Sequence, residues 1–189
     1  NADREFEERV KDLSDPDTLR AYKEKYDGYR PSLLPRLCGT FLVSMGNLVY
    51  GYTPSYLKFR AVEVIARVPY HSWVSVEYTL LTLFYTNARR AMLLSKTAQF
   101  ARIAQDNETM HVIVISELAE GEGRAGFIRY TLIPMLFAFV YFWLSYVLYL
   151  LTPRYSYELN YLFESHAHEQ YSLFLAREGE ALKQKKVTS

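Results

Sequence analysis

The chain has 189 residues, with 22 Lys and Arg against 21 Asp and Glu, and a single cysteine, Cys38. That length suffices for one domain with a real core, and the near balance of charge leaves no overall field that would select nucleic acid. One cysteine excludes a disulfide framework and any Cys-rich zinc or iron–sulfur site, and Cys38 reads as a small buried apolar residue. The 17 Tyr, 11 Phe and 2 Trp favour surfaces that are half apolar and half wet, membrane interfaces among them.

Residues 1–30 are polar and charged, with Asp15-Pro16-Asp17 as a helix-start signal. They read as a solvated arm, separate from a single helical domain over residues 31–189. From Leu37 to Tyr50 the chain carries no charge, yet the run is too short to cross a bilayer comfortably. It predicts a core or interfacial helix. Tyr56 to Val68 puts Leu57, Ala61, Val64 and Val68 on one helical stripe, which Pro69 should end or kink. A further apolar stretch runs from His71 to Tyr85. A helix rich in Ala, Leu and Lys follows from Arg89-Arg90 to about Leu118, where Glu120-Gly121-Glu122-Gly123 breaks the pattern.

Between Arg129 and Arg154 lie 24 residues without a charge, enough to span the hydrocarbon of a bilayer. Pro134 inside the run weakens a transmembrane reading, as does the recurrence of Tyr130, Tyr141, Tyr146 and Tyr149 along its length. A helix half-sunk in one leaflet, or packed in a hydrophobic dimer interface, fits the composition equally well. Tyr155 to about Glu180 predicts a last helix, followed by a basic tail from Lys183 to Ser189. There is no internal repeat, Gly-rich phosphate loop or nucleophile elbow.

Four residues on these helices invite one shared explanation. Glu108 and His111 are three apart, so a helix points a carboxylate and an imidazole from the same face. Glu63 lies between Val62 and Val64, and Glu164 follows Leu162-Phe163. Charges inside apolar helices are costly unless paired or bound to metal. The spacing leaves two readings open: a metal site, or buried polar groups satisfied by the protein itself. His71, His166 and His168 carry weaker signals and read as ordinary polar contacts.

The strings Ala66-Arg67-Val68-Pro69-Tyr70 after Glu63, Asn107-Glu108-Thr109-Met110-His111, and Glu164-Ser165-His166-Ala167 with Tyr171 resemble the alternative oxidase family. The Glu-Ser-His-Ala version, and Thr152-Pro153-Arg154 before it, look like the plastid terminal oxidase branch. The likeness covers roughly Tyr56 to Glu180. It implies an all-α, ferritin-like di-iron helix bundle with membrane-interfacial helices, and a monotopic attachment that turns residues 130–153 into an interfacial helix. The implied activity is oxidation of a membrane quinol, plastoquinol-like in this branch, with reduction of dioxygen to water. Implied surroundings are the stromal side of the thylakoid and a homodimer or larger membrane complex.

Carried over position by position, the resemblance makes Glu63, Glu108, His111 and Glu164 ligands to two non-haem iron ions, and Tyr171 a redox tyrosine beside them. Val62, Phe163 and Ala167 fall where the family lines its quinol channel. Lys58 stands where the family usually has arginine, an exchange that loses a planar, multidentate donor. The family also uses a fourth bundle helix with a second Glu-x-x-His pair, and these residues end before one. Four of six expected ligands are present, so iron is expected to bind less well. The sequence therefore supports an oxidase first. The alternative is a non-catalytic, oxidase-derived structural subunit of a photosynthetic or respiratory membrane complex.

Overall fold

The computed structural model describes residues 15–26, 28–123 and 125–184; the polar segment 1–14 and the end of the basic tail, 185–189, lie outside the described residues. The chain forms two units that meet in sequence at Pro31 and Ser32. In the first, helix α1 (Pro16–Tyr26) starts at Asp15, whose Oδ2 accepts from the Thr18 amide at 3.0 Å and the Thr18 hydroxyl at 2.8 Å. Asp15-Pro16-Asp17 is thus a capped helix start, with proline at the first position, where its missing N–H costs nothing.

The second unit is all α among its described residues, with no strand. Its helices are α2 (Leu33–Tyr50), α3 (Tyr56–Ala66), α4 (Val68–Phe84), α5 (Ala88–Glu120), α6 (Ile133–Leu151) and α7 (Pro153–Gln184). Helix α5 packs on α3 and α4, α6 on α3 and α4, and α7 on α2 and α6. The three helices that carry the acidic residues of interest, α3, α5 and α7, are thereby tied into one body.

Local chemistry sets most of the boundaries. Helix α2 ends at Gly51, which adopts φ 77° while its amide bonds Asn47 O at 2.8 Å, a conformation that suits glycine. Helix α3 is capped twice. The Ser55 hydroxyl accepts from Lys58 N at 3.2 Å, and the Glu122 carboxylate takes the amides of Tyr56 and Leu57 at 3.1 and 3.0 Å. Asn87 caps α5 through its contact with Arg90 N at 3.1 Å.

Pro69 does end the Tyr56–Val68 segment, by opening a new helix. Arg67 is the shared cap of α3 and α4, and Pro69 occupies the first turn of α4, where it displaces no hydrogen bond. Pro134 sits likewise in the first turn of α6, preceded by a π-helical turn over Ile128–Leu132. A proline at 134 cannot donate to the carbonyl one turn back, and the wider turn accommodates that missing bond. The uncharged run is therefore two pieces joined end to end.

Two apolar clusters hold the body together. Leu42, Tyr141, Leu148 and Leu159 join α2, α6 and α7; Trp73, Val76, Ala101 and Tyr149 join α4, α5 and α6. On the outside, α6 exposes Leu136, Phe139, Val140, Trp143, Val147 and Leu150, which share one helical stripe. Helix α2 does the same with Leu34, Leu37, Phe41 and Leu48. By length and hydropathy Ile128–Leu151, 24 residues, is able to cross a membrane.

Candidate metal centre

Glu63 on α3 and Glu108 on α5 are buried, at 4% and 9% exposure, and His111 stands one turn beyond Glu108. The three offer a ligand atom each, all within 4.8 Å of one another. His111 Nδ1 lies 3.2 Å from Glu108 Oε2 and 3.7 Å from Glu63 Oε2. The i, i+3 spacing produces the Glu108–His111 pair, and the packing of α3 on α5 supplies Glu63.

Glu164 comes from α7. Its Oε1 accepts from the Tyr70 hydroxyl at 3.0 Å, and Tyr70 in turn accepts from Asn160 Nδ2 at 3.1 Å. Glu164 does not enter the 4.8 Å group, but its charge reaches the others. Burial, then the charges of Glu164 and Glu63, push the Glu108 carboxyl up to about 7. Glu164 is also raised, chiefly by burial, with Glu63 adding to the shift and the Tyr70 bond opposing it.

Three carboxylates converging in an apolar interior are destabilising by themselves. Glu63 Oε2 is fully buried and has no hydrogen-bond partner among the described residues. An orphaned carboxylate oxygen facing an imidazole nitrogen and a second carboxylate fits a multivalent cation. The donor set of carboxylate oxygens with imidazole suits iron or manganese more than a thiolate-preferring metal.

Tyr171, two turns along α7 from Glu164, donates its hydroxyl to Glu63 Oε1 and stacks on Phe59 with centroids 4.2 Å apart. Burial and the neighbouring Glu63 raise its pKa strongly, so the phenol keeps its proton. Beside Tyr171 opens a mainly apolar cavity between α2, α3, α6 and α7. Val62, Phe163, Ala167 and Lys58 all line it, together with Glu164 and Tyr171. The cavity and the carboxylate cluster therefore share a wall.

Lys58 is buried, at 4% exposure, and its Nζ donates to Gly51 O at 2.7 Å, Gln170 Oε1 at 3.1 Å and Asn47 Oδ1 at 3.4 Å. All three ammonium protons are engaged by the protein, so Lys58 ties the end of α2 to α7 at the cavity wall.

Sequence reasoning assigns no site role to Tyr70, Asn160 and Gln170, and marks His166 only as an ordinary polar contact. His166 and Gln170 also line the cavity. Their signal was available: Phe163, His166, Ala167, Gln170 and Tyr171 recur at three- and four-residue steps on the face that begins beside Glu164. Tyr70 lies inside a string quoted for its resemblance, but no spacing rule links it to Glu164, 94 residues away. His168 is exposed, and His71 stands at the start of α4 with its ring 5.6 Å from Phe142.

Buried carboxylates on packed helices, with the half-exposed imidazole of His111 at their outer edge and an apolar cavity beside them, are the arrangement of a helical-bundle metalloprotein. The alternative oxidase family model matches residues 39–188. Ubiquinol oxidase 4, chloroplastic/chromoplastic, of Arabidopsis thaliana is 36% identical over 129 residues, which is 68% of this chain and 34% of that protein. The chain belongs to the alternative oxidase family, and it spans about a third of the length of this plastid relative. No solved structure matches it.

Proposed function

We propose that this chain belongs to a plastid-type quinol oxidase, which oxidises a membrane quinol and reduces dioxygen to water. The observation that carries the reading is the shared wall between cavity and cluster: Tyr171 borders the cavity and donates to Glu63. Glu63, Glu108, His111 and Glu164 are the residues that would hold two non-haem iron ions. Those ions, when bound, supply the electron acceptor for the quinol and the place where dioxygen is reduced.

The protein's own share is positioning and proton control. Val62, Phe163 and Ala167 offer an apolar slot for a quinol ring. Tyr171, held against Glu63, keeps a proton in the wall of that slot, where a relay between quinol and cluster needs one. Lys58 shapes the slot by fastening α2 to α7 and leaves head-group recognition to other residues in the wall.

The exposed apolar faces of α2 and α6 suit attachment to one leaflet, with the quinol entering from lipid past α2. In this reading residues 1–30 are an arm on the oxidase-like domain 31–189, and the protein sits at the stromal face of the thylakoid, as a dimer or within a larger complex. The chloroplastic relative supports a plastid location. Retention of every donor that the resemblance assigns to these residues favours an oxidase over a structural subunit.

The test is Glu108→Ala in the native protein. Both iron content and quinol-dependent oxygen uptake should be lost, because removing one buried carboxylate leaves His111 and Glu63 without their third partner. Unchanged iron would overturn the assignment.

A further inference from the structure

A second buried polar group lies on the other side of Tyr70, and the site described above does not use it. Glu77 on α4 is 2% exposed. Its Oε1 accepts from the Tyr149 hydroxyl at 2.5 Å, and its Oε2 is buried with no hydrogen-bond partner among the described residues. Packing alone argues against a carboxylate here, since an apolar or amide side chain would avoid the cost of that orphaned oxygen.

Glu77 ends a line of oxidisable rings that begins at the carboxylate cluster. Tyr70, bonded to Glu164, meets Trp73 edge-on at 5.1 Å between centroids. Trp73 meets Tyr157 at 4.7 Å and Tyr149 at 6.1 Å. The Tyr149 and Tyr157 hydroxyls are 3.1 Å apart. Trp73, Tyr149 and Glu77 are buried, while Tyr157 is 40% exposed. We propose that Trp73, Tyr149 and Glu77 form a relay that carries a surplus oxidising equivalent, past Tyr70, from the oxidant that dioxygen would leave at the metal held by the cluster to the surface at Tyr157.

The chemistry at each position fits that role. Trp73 Nε1–H donates to the Ser156 hydroxyl at 2.7 Å, a weak base, so an indole that loses an electron keeps its proton and remains a strong oxidant. A phenol becomes strongly acidic on losing an electron and needs a base already in place. Glu77 is that base for Tyr149. One electron passes from Tyr149 to oxidised Trp73 as the phenolic proton crosses to Glu77 Oε1. The tyrosyl radical then takes one electron from a small reductant in solution, such as ascorbate, delivered through Tyr157, and the same proton returns from Glu77. The reductant is oxidised by one electron, the oxidant that dioxygen would leave at the metal held by the cluster would be reduced by one, and every side chain is restored.

The proposal rests on the oxidase reading for its source of oxidising equivalents. Dioxygen needs more electrons than one quinol carries, so a site short of quinol retains oxidising power that would otherwise destroy its own lining.

The test needs neither iron nor turnover. In a Trp143→Phe background Trp73 is the single indole of the chain, which has two Trp in all. Laser ionisation of Trp73 in the metal-free protein should give an indole radical that decays into a tyrosyl radical, followed by transient absorption and EPR. Glu77→Gln, which keeps an acceptor for Tyr149 but is a far weaker base, should lengthen the indole radical's lifetime severalfold, and so should Tyr149→Phe. Ascorbate should quench the tyrosyl radical more slowly when Tyr157→Phe is added. A lifetime unchanged in either Glu77→Gln or Tyr149→Phe overturns the relay. Failure of the protein to bind iron or consume oxygen would overturn the oxidase reading and leave this result untouched.

Discussion

Glu77 shows what a single buried carboxylate does to the fold that holds it. Burial raises its pKa, against smaller opposing effects from the Tyr149 hydroxyl and the Arg102 charge. A carboxyl whose folded pKa exceeds its unfolded value, about 4.3 for Glu, favours the native state fully only below the unfolded value. That contribution is lost as pH rises through the folded pKa. Glu77→Gln should therefore change stability little in mild acid and stabilise the protein increasingly toward neutral and alkaline pH, with Tm rising about 2–4 °C per kcal/mol recovered. Thermal melts of both proteins across a pH series decide it, and a gap that fails to widen with pH refutes the argument. The contrast with the carboxylate–imidazole cluster is instructive. Glu63, Glu108, His111 and Glu164 stood out in the sequence because a helical spacing and apolar flanks marked them. Glu77 also sits in an apolar stretch, between Val76 and Tyr78, but its partner Tyr149 lies 72 residues on, and no local pattern announces such a pair. Pairing at that range is a product of packing.

At the scale of elements, the sequence yields most of what local chemistry controls. The uncharged run from Leu37 is helical, Pro69 marks the junction of α3 and α4, and the Gly-rich cluster closes α5 at Glu120. What it leaves out depends on neighbours: the π turn before Pro134, the cap that Glu122 places on α3 from the far end of α5, and the close approach of α2 to α7. That approach occurs at Gly39, where an added Cβ would stand 2.9 Å from Leu162 Cδ1, 3.4 Å from Leu162 Cβ and 3.5 Å from Leu159 Cδ1. Alanine gains about 1 kcal/mol of helix propensity over glycine, and the Leu162 tip is free to yield, so Gly39→Ala should be close to neutral. Valine adds two further methyl groups against Leu162 and Leu159, neither of which has comparable room, and overpacking of this kind costs about 1–3 kcal/mol. Urea midpoints should separate the two variants in that order. A valine as stable as the alanine would mean that α2 and α7 part easily.

The molecule as a whole displays an imbalance that its folded core does not resolve. Large apolar side chains lie exposed in regular stripes on α2 and α6, among them Phe41 at 64%, Phe139 at 65% and Trp143 at 50%. Contiguous apolar faces of this kind mark a surface that is covered in use. The stripes alternate with buried residues of the same helices, such as Leu42, Tyr141 and Leu148, so each helix has one face for the core and another for something else. A leaflet suits the aromatic content better than water does, since Trp and Tyr favour the boundary between headgroups and hydrocarbon. Burying one such side chain contributes about 1.5–3 kcal/mol, which is about a tenfold change or more in partitioning. The double variant Phe139→Ser with Trp143→Ser should consequently weaken binding to liposomes by about tenfold per side chain, measured by flotation, while circular dichroism stays that of a helical protein, because neither residue belongs to the core clusters. Binding that survives both substitutions at parental strength would show that α6 meets something other than lipid.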